Sequence, residues 1–288
     1  MPATPTRAPM ISPTQAEPVE TEAGATLLER SGRGIRATPA GVLLAEHASR
    51  ILDQVDDAER ALAALRSGAA GRLSIAAFPT AGSSLVPVAV GRFRQACPGV
   101  ELDLGVAEAE AATDLLQRGS IDLAVALEPF DRHSTPADGL VRRHLMDDPF
   151  RLVLPKGHQL AHRRRIELGQ VSDEPWVAAT CCLGSCERTV LDACERAGFA
   201  PRFAVEADDY PAAQGYVGVG LGIAMIPMLA LGAVRDDVVV RRIKGSEPVR
   251  HVYAVTRTPA VDGPLAVMVE ALRSAAVEQV RAVQASGR

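Results

Sequence analysis

Apolar positions follow two regimes that divide the chain near residue 71. Before that point Leu44, Ala48, Ile51, Val55, Ala58, Leu62 and Leu65 recur in alternating steps of four and three, the seam of a coiled coil. Thr38 supplies an N-cap, and Pro39 takes the first helical position, where a missing N–H costs nothing. Gly68 and Gly71 end the helix. One amphipathic helix packed on its own domain would leave the same stripe. The strict alternation, flanked by Glu and Arg, favours pairing with a second chain, so residues 38–68 read as a linker and dimerisation helix.

Beyond Gly71, short apolar runs alternate with amphipathic segments. Strands are predicted over Arg72–Phe78, Val100–Val106 and Ile121–Leu127, with helices over Ser83–Ala96 and Glu108–Arg118. That alternation means parallel βαβ units and an α/β fold. It resumes with strands over Trp176–Thr180, Arg202–Glu206, Leu221–Ile226, Val238–Ile243 and His251–Val255, and helices over Glu187–Ala197 and Ala212–Val219. A last helix, Pro264–Ala285, carries Leu265, Val269, Leu272, Ala276 and Val280 on one stripe.

Composition narrows the class. A length of 288 residues fits one large or two medium domains, and 47% hydrophobic content supports a sizeable core. The net charge of −4 rules out a generally basic nucleic-acid binder and leaves any DNA contact to a small local segment. No apolar run reaches the roughly eighteen residues of a membrane span, and the first residues hold Pro and Thr where a signal peptide has its apolar stretch. The five cysteines lack the paired spacing of a secreted scaffold. A soluble cytoplasmic protein with no membrane partner is expected.

The most specific stretch is Glu20 through Gly41. Glu20, Gly24 and Leu27-Leu28-Glu29-Arg30 lead into a basic segment with Arg33 and Arg36, then Thr38-Pro39-Ala40-Gly41. This closely resembles the end of the DNA-binding domain of LysR-type transcriptional regulators: the close of the recognition helix, the wing, and the opening of the linker helix. Val19 stands where the family has Leu, and Leu28 where it has Phe. The likeness continues over residues 19–280, through Leu73–Ile75, Leu85-Val86-Pro87, Gly119 with Asp122-Leu123-Ala124, and the run Asp148–Ala161 onward to Trp176.

The resemblance implies a two-lobed effector-binding domain like the periplasmic binding proteins, preceded by the coiled-coil linker helix and a remnant of a winged helix-turn-helix at 19–37. Lobe I would comprise 72–150 and 257–288 and lobe II 151–256, with crossings near Pro149–Leu154 and Val255–Pro259. The implied partners are double-stranded DNA, a small-molecule effector and a second copy of the chain, as dimer or tetramer, with no cofactor. Arg30, Arg33 and Arg36 would meet phosphates or the minor groove. In the family, two helices and most of the recognition helix precede the equivalent of Glu20. Here Pro2, Pro5, Pro9, Pro13 and Pro18 fill that stretch, and proline in a helix interior costs about 3 kcal/mol. Residues 1–18 are therefore expected to be a disordered tail. The alternative function is a head-less sensor that binds ligand or pairs with an intact relative.

Two strand ends offer ligand chemistry. Thr80, Ser83 and Ser84 sit between a strand and a helix, where hydroxyls join free backbone N–H groups in holding an anion; Ser83 could equally be a plain helix cap. In the second lobe Thr180 and Cys181 fall where the resemblance places the closing side of the effector site. Cys181, Cys182 and Cys186 are too few for a zinc site, and no His stands at ligand spacing to them, so no metal is expected. Gly218, Gly220 and Gly222 follow a helix rather than a strand, which excludes a dinucleotide loop; they resemble the family's glycine turn into a late strand, and that resemblance implies close backbone approach. No nucleophile–base arrangement is evident, so the chain does not read as an enzyme.

Overall fold

The computed structural model describes residues 13–31, 34–45, 47–48, 51–52, 55, 71–128, 139–179 and 185–285. The chain divides into two units, Met1–Leu62 and Ala63–Arg288.

In the first unit a helix, α1 (Pro13–Ala23), precedes an antiparallel hairpin of β1 (Leu28–Ser31) and β2 (Gly34–Ala37). The tail expected through residue 18 is therefore corrected from Pro13 onward. Pro13 opens the helix, where its missing N–H is harmless, and Pro18 removes a single intrahelical bond from the interior. Glu20 then reaches over the turn: its Oε1 accepts the backbone N–H of Leu27 at 2.6 Å and of Leu28 at 3.0 Å. Those bonds hold the Glu20 carboxyl below its ordinary range. The Thr38 hydroxyl donates to the Thr26 carbonyl at 2.7 Å and accepts the Gly41 N–H at 3.1 Å, the cap that the sequence predicts. All described residues among 39–55 are helical and form α2. Only glycine fits at 41, because a Cβ there would lie 2.1 Å from the Leu27 carbonyl oxygen.

In the second unit β3 (Arg72–Ala77) runs parallel between β4 (Glu101–Val106) and β5 (Leu123–Glu128). β3 is buried at all but its first position because helices cover both faces of its sheet. On one face α3 (Pro79–Ala96) packs with the last helix of the chain. On the other, α4 (Ala109–Arg118) buries Ala112 and Leu116 against Ala76, Ala124 and Val255. The long strand β6 (Val141–Pro155) serves both lobes: its first part lies in the sheet of β3–β5, and its second pairs with β10 (Ala224–Pro227) and β11 (Val238–Ile243). A short strand, β7 (Arg165–Ile166), borders β11. The second lobe adds parallel β8 (Pro175–Ala179) and β9 (Arg202–Ala207) and the helices α5 (Ser185–Arg196) and α6 (Tyr210–Gly218).

Strand β12 (Val249–Thr256) corrects the second expected crossing. It lies between β5 and the first part of β6, so it belongs to lobe I, and the chain returns between Ile243 and Val249 rather than near Val255–Pro259. The apolar positions of β12 fit either sheet, which is why periodicity could not assign it. Helix α7 (Gly263–Ala285) then closes the first lobe against α3. Gly222 is fixed by close approach, since a Cβ there would sit 2.6 Å from the Pro175 carbonyl oxygen, while Gly220 has φ +81°.

Candidate functional site

Where the chain passes between lobes, β6 and β12 run side by side, and their last paired residues are Pro149 and Val249. One step earlier Asp148 and Arg250 stand directly opposite each other, both fully buried. The Arg250 Nε–H donates to Asp148 Oδ2 at 2.7 Å. Asp148 Oδ1 accepts the Leu229 N–H at 3.0 Å, from the turn that follows β10. The other end of the guanidinium bridges the lobes. Nη2 donates to the Thr80 hydroxyl at 2.6 Å in the first turn of α3, and Nη1 lies 3.6 Å from Cys186 Sγ in the first turn of α5. The Phe78 ring lies beneath it, its centre 5.0 Å from the guanidinium carbon.

Burial pushes the Asp148 carboxyl up, and the neighbouring Arg250 charge opposes that push. For Arg250, burial works against the charge, yet Asp148, Cys186 and Tyr210 together hold it above its ordinary value, so it stays a cation. The first-turn amides of a helix have no intrahelical acceptor and carry the positive end of its dipole. Two such ends and a fixed cation at one junction make a setting for an anion.

Thr80, expected to contact ligand, is at this junction. Ser83 and Ser84 are not loop hydroxyls, because α3 already begins at Pro79, whose fixed φ suits the first helical position. Both donate back to the Thr80 carbonyl, Ser83 at 3.2 Å and Ser84 at 2.5 Å. Thr180 and Cys181 lie outside the described residues. Asp148 and Arg250 were missed as site residues. Their signal was present as a charge at the edge of each strand's buried run, Asp148 just before Phe150–Leu154 and Arg250 just before Val252 and Ala254, a placement that burial permits only with a partner.

Elsewhere in the second lobe a cavity of about 150 Å³ lies among Phe150, Trp176, Cys186, Tyr210 and Met225. The Trp176 Nε1–H is buried and has no partner among the described residues.

In the first unit, Arg36 is tied to its cross-strand neighbour Glu29, Nη2 to Oε1 at 2.8 Å, and Arg30 is exposed on β1. Arg33 lies outside the described residues. Along α2, Leu44, Ile51 and Val55 are exposed and Ala48 half-buried, while Ala58, Leu62 and Leu65 fall outside the described residues.

Residues 66–279 match the LysR substrate binding domain. The chain belongs to the LysR family of transcriptional regulators. It is 31% identical over 234 residues to the transcriptional regulator TfdS of Cupriavidus pinatubonensis, covering 77% of this chain and 73% of that one. To the regulator AlsR of Bacillus subtilis it is 28% identical over 230 residues, 80% of this chain and 74% of AlsR. The fold matches full-length CbnR, a LysR family regulator solved with its target DNA, at a TM-score of 0.68 and 23% identity, covering 91% of this chain and 88% of CbnR. The α/β effector-binding architecture is thus that of LysR regulators, which bind DNA and small effectors as oligomers. No described helix is long and apolar enough to cross a membrane.

Proposed function

We propose that this LysR-family chain is a cytoplasmic regulator that senses a small anionic metabolite where the two lobes meet, by binding rather than by catalysis. The observation that carries this is the convergence of Thr80, from the first lobe, and Cys186, from the second, on one buried guanidinium. The Thr80 hydroxyl accepts from Arg250, its own O–H donates to no acceptor among the described residues, and the amides of α3 lie beside it. Thr180 and Cys181, which lie outside the described residues, are the candidates for the second lobe's side, while Ser83 and Ser84 stand in the first turns of α3 and support Thr80 by donating to its carbonyl. Occupation of the junction would favour one lobe angle over another. The seam Leu44, Ala48, Ile51 and Val55, continued in sequence by Ala58, Leu62 and Leu65, would pair two chains and carry that change to DNA held by Arg30, Arg33 and Arg36.

A thermal-shift screen of carboxylated and phosphorylated metabolites, followed by calorimetry, tests the site. Thr80→Ala and Thr180→Ala should each weaken the effector about tenfold, the scale of one lost hydrogen bond to a charged group. Full affinity in both variants would place the effector elsewhere.

The charge of α1 favours a second reading. The segment PTQAEPVETEA contains three Glu and no Lys or Arg, a poor match to a phosphate-lined groove. On this reading the chain senses effector without reading base sequence by itself. Anisotropy titrations against the DNA upstream of its own coding region and a scrambled duplex, at physiological salt, separate the two. Selective binding rejects the second reading, and salt-labile binding without selectivity supports it.

A further inference from the structure

The outer face of the crossover strands carries a different chemistry. Successive strand residues point to opposite faces, so Asp147 and His251, next to Asp148 and Arg250, face away from the buried pair. His251 and Asp147 are directly opposed in the ladder. His144 would ordinarily face the other way, being three residues from Asp147. A bulge in β6 changes that: Val252 pairs with Met146 and Tyr253 with His144, leaving Leu145 as the extra residue. Leu145 and Met146 consequently both point inward and are buried, and His144 swings onto the face of Asp147. The His144 Nε2 and His251 Nδ1 atoms then lie 2.8 and 2.7 Å from the same oxygen, Asp147 Oδ1.

We propose that His144, Asp147 and His251 form a binding site for a first-row divalent transition-metal ion such as Zn²⁺ or Ni²⁺. The donor atoms all lie within 4.8 Å of one another, and small rotations bring them to the roughly 3.3 Å separation that bonds of about 2.05 Å set in a tetrahedron. Two imidazoles and a carboxylate suit these ions and leave remaining positions to water. Each ring would bind the ion through the nitrogen that now faces Asp147 and carry its one remaining proton on the other nitrogen, so a proton on the facing nitrogen moves to the other one or is released to solvent on binding. His251 is the anchored ligand, with a side chain only 14% exposed. The ring of His144 is held edge-on by Tyr253, the centroids 5.3 Å apart. The open side faces solvent, with His144 and Asp147 about half exposed, which gives an ion its entry path. An ion here ties β6 to β12 two residues from the point where β6 leaves the first lobe and β12 enters it.

Calorimetry of the full chain, freed of metal by chelation and titrated with ZnCl₂ and NiCl₂, tests the site. One ion per chain at micromolar affinity is expected. His144→Ala and Asp147→Ala, both at exposed positions, should each weaken binding at least tenfold, since even losing a second-shell partner costs about 10–100-fold. Cobalt substitution distinguishes this site from the cysteines: visible bands without a sulfur-to-cobalt charge-transfer band are expected. Binding only at millimolar concentration, affinity unchanged in both variants, or a thiolate band lost on cysteine substitution would each overturn the assignment.

Discussion

Two polar clusters organise this chain, and they are built on opposite plans. At the start of the hairpin, Glu20 reaches Leu27 and Leu28, Thr38 reaches Thr26, and Arg36 reaches Glu29, across seven, eight, twelve and seven residues. All are exposed or half-buried. At the crossover, Arg250 reaches Asp148, Thr80 and Cys186 across 102, 170 and 64 residues, and every bond is buried. The first plan shapes a short segment that water could serve nearly as well. The second fixes the mutual position of distant segments from both lobes, and its groups are shut away from water. The same residue type, an arginine beside a carboxylate, is a minor restraint in one place and a structural commitment in the other.

The strongest way to break that contrast is Arg250→Ala. It leaves Asp148 buried without its counter-charge, and removing one partner of such a pair costs about 3–5 kcal/mol. Urea unfolding followed by fluorescence of the single tryptophan, Trp176, should show this loss. The double variant Asp148→Leu with Arg250→Met should recover most of the stability, because a buried pair gains little over well-packed apolar residues, while effector affinity stays lost. A loss below about 1 kcal/mol in Arg250→Ala would mean that the pair is no more committed than Arg36–Glu29.

The same contrast explains what could be read in advance. The Thr38 cap, Pro39 and the βα alternation are set within a few residues, and the structure agrees with each. Where the expectation failed, the deciding partner was remote. The apolar pattern of β12 suits either lobe, and only its ladder with β5 assigns it to the first. Ser83 and Ser84 are the local exception: α3 begins at Pro79, and both hydroxyls turn back to the Thr80 carbonyl. The grouping of His144 and Asp147 with His251 was illegible for two reasons. His251 lies 104 residues from Asp147, and the bulge that turns His144 onto their face leaves no mark in a strand's alternation.

A smaller effect is expected where the contrast is sharpened from the local side. Thr38→Ala removes the acceptor for the Gly41 N–H and the donor to the Thr26 carbonyl. Loss of an N-cap costs about 1 kcal/mol, so amide exchange at Gly41 should accelerate about fivefold. Trp176, in the other unit, should unfold at an unchanged urea concentration. A shift at Trp176 would show that the hairpin contacts are not confined to their own segment.

The smallest effect lies in pH. The Leu28 and Leu27 amides hold the Glu20 carboxyl below its ordinary value. A group whose pKa is depressed on folding contributes its stabilisation above the unfolded pKa, about 4.3 for Glu, and loses it as pH falls through the folded value. The turn between α1 and β1 should therefore be intact at neutral pH and loosen only in acid, below the range where an ordinary glutamate titrates. NMR would follow the Glu20 carboxyl and the Leu27 and Leu28 amides together, and all three should share one midpoint. In Glu20→Gln an uncharged carbonyl still accepts, so the amides should keep a weaker bond and lose the acid step. A midpoint at or above the ordinary value would mean that the exposed carboxylate prefers water to the two amides. The hairpin junction would then be held by Thr38 and its helix alone.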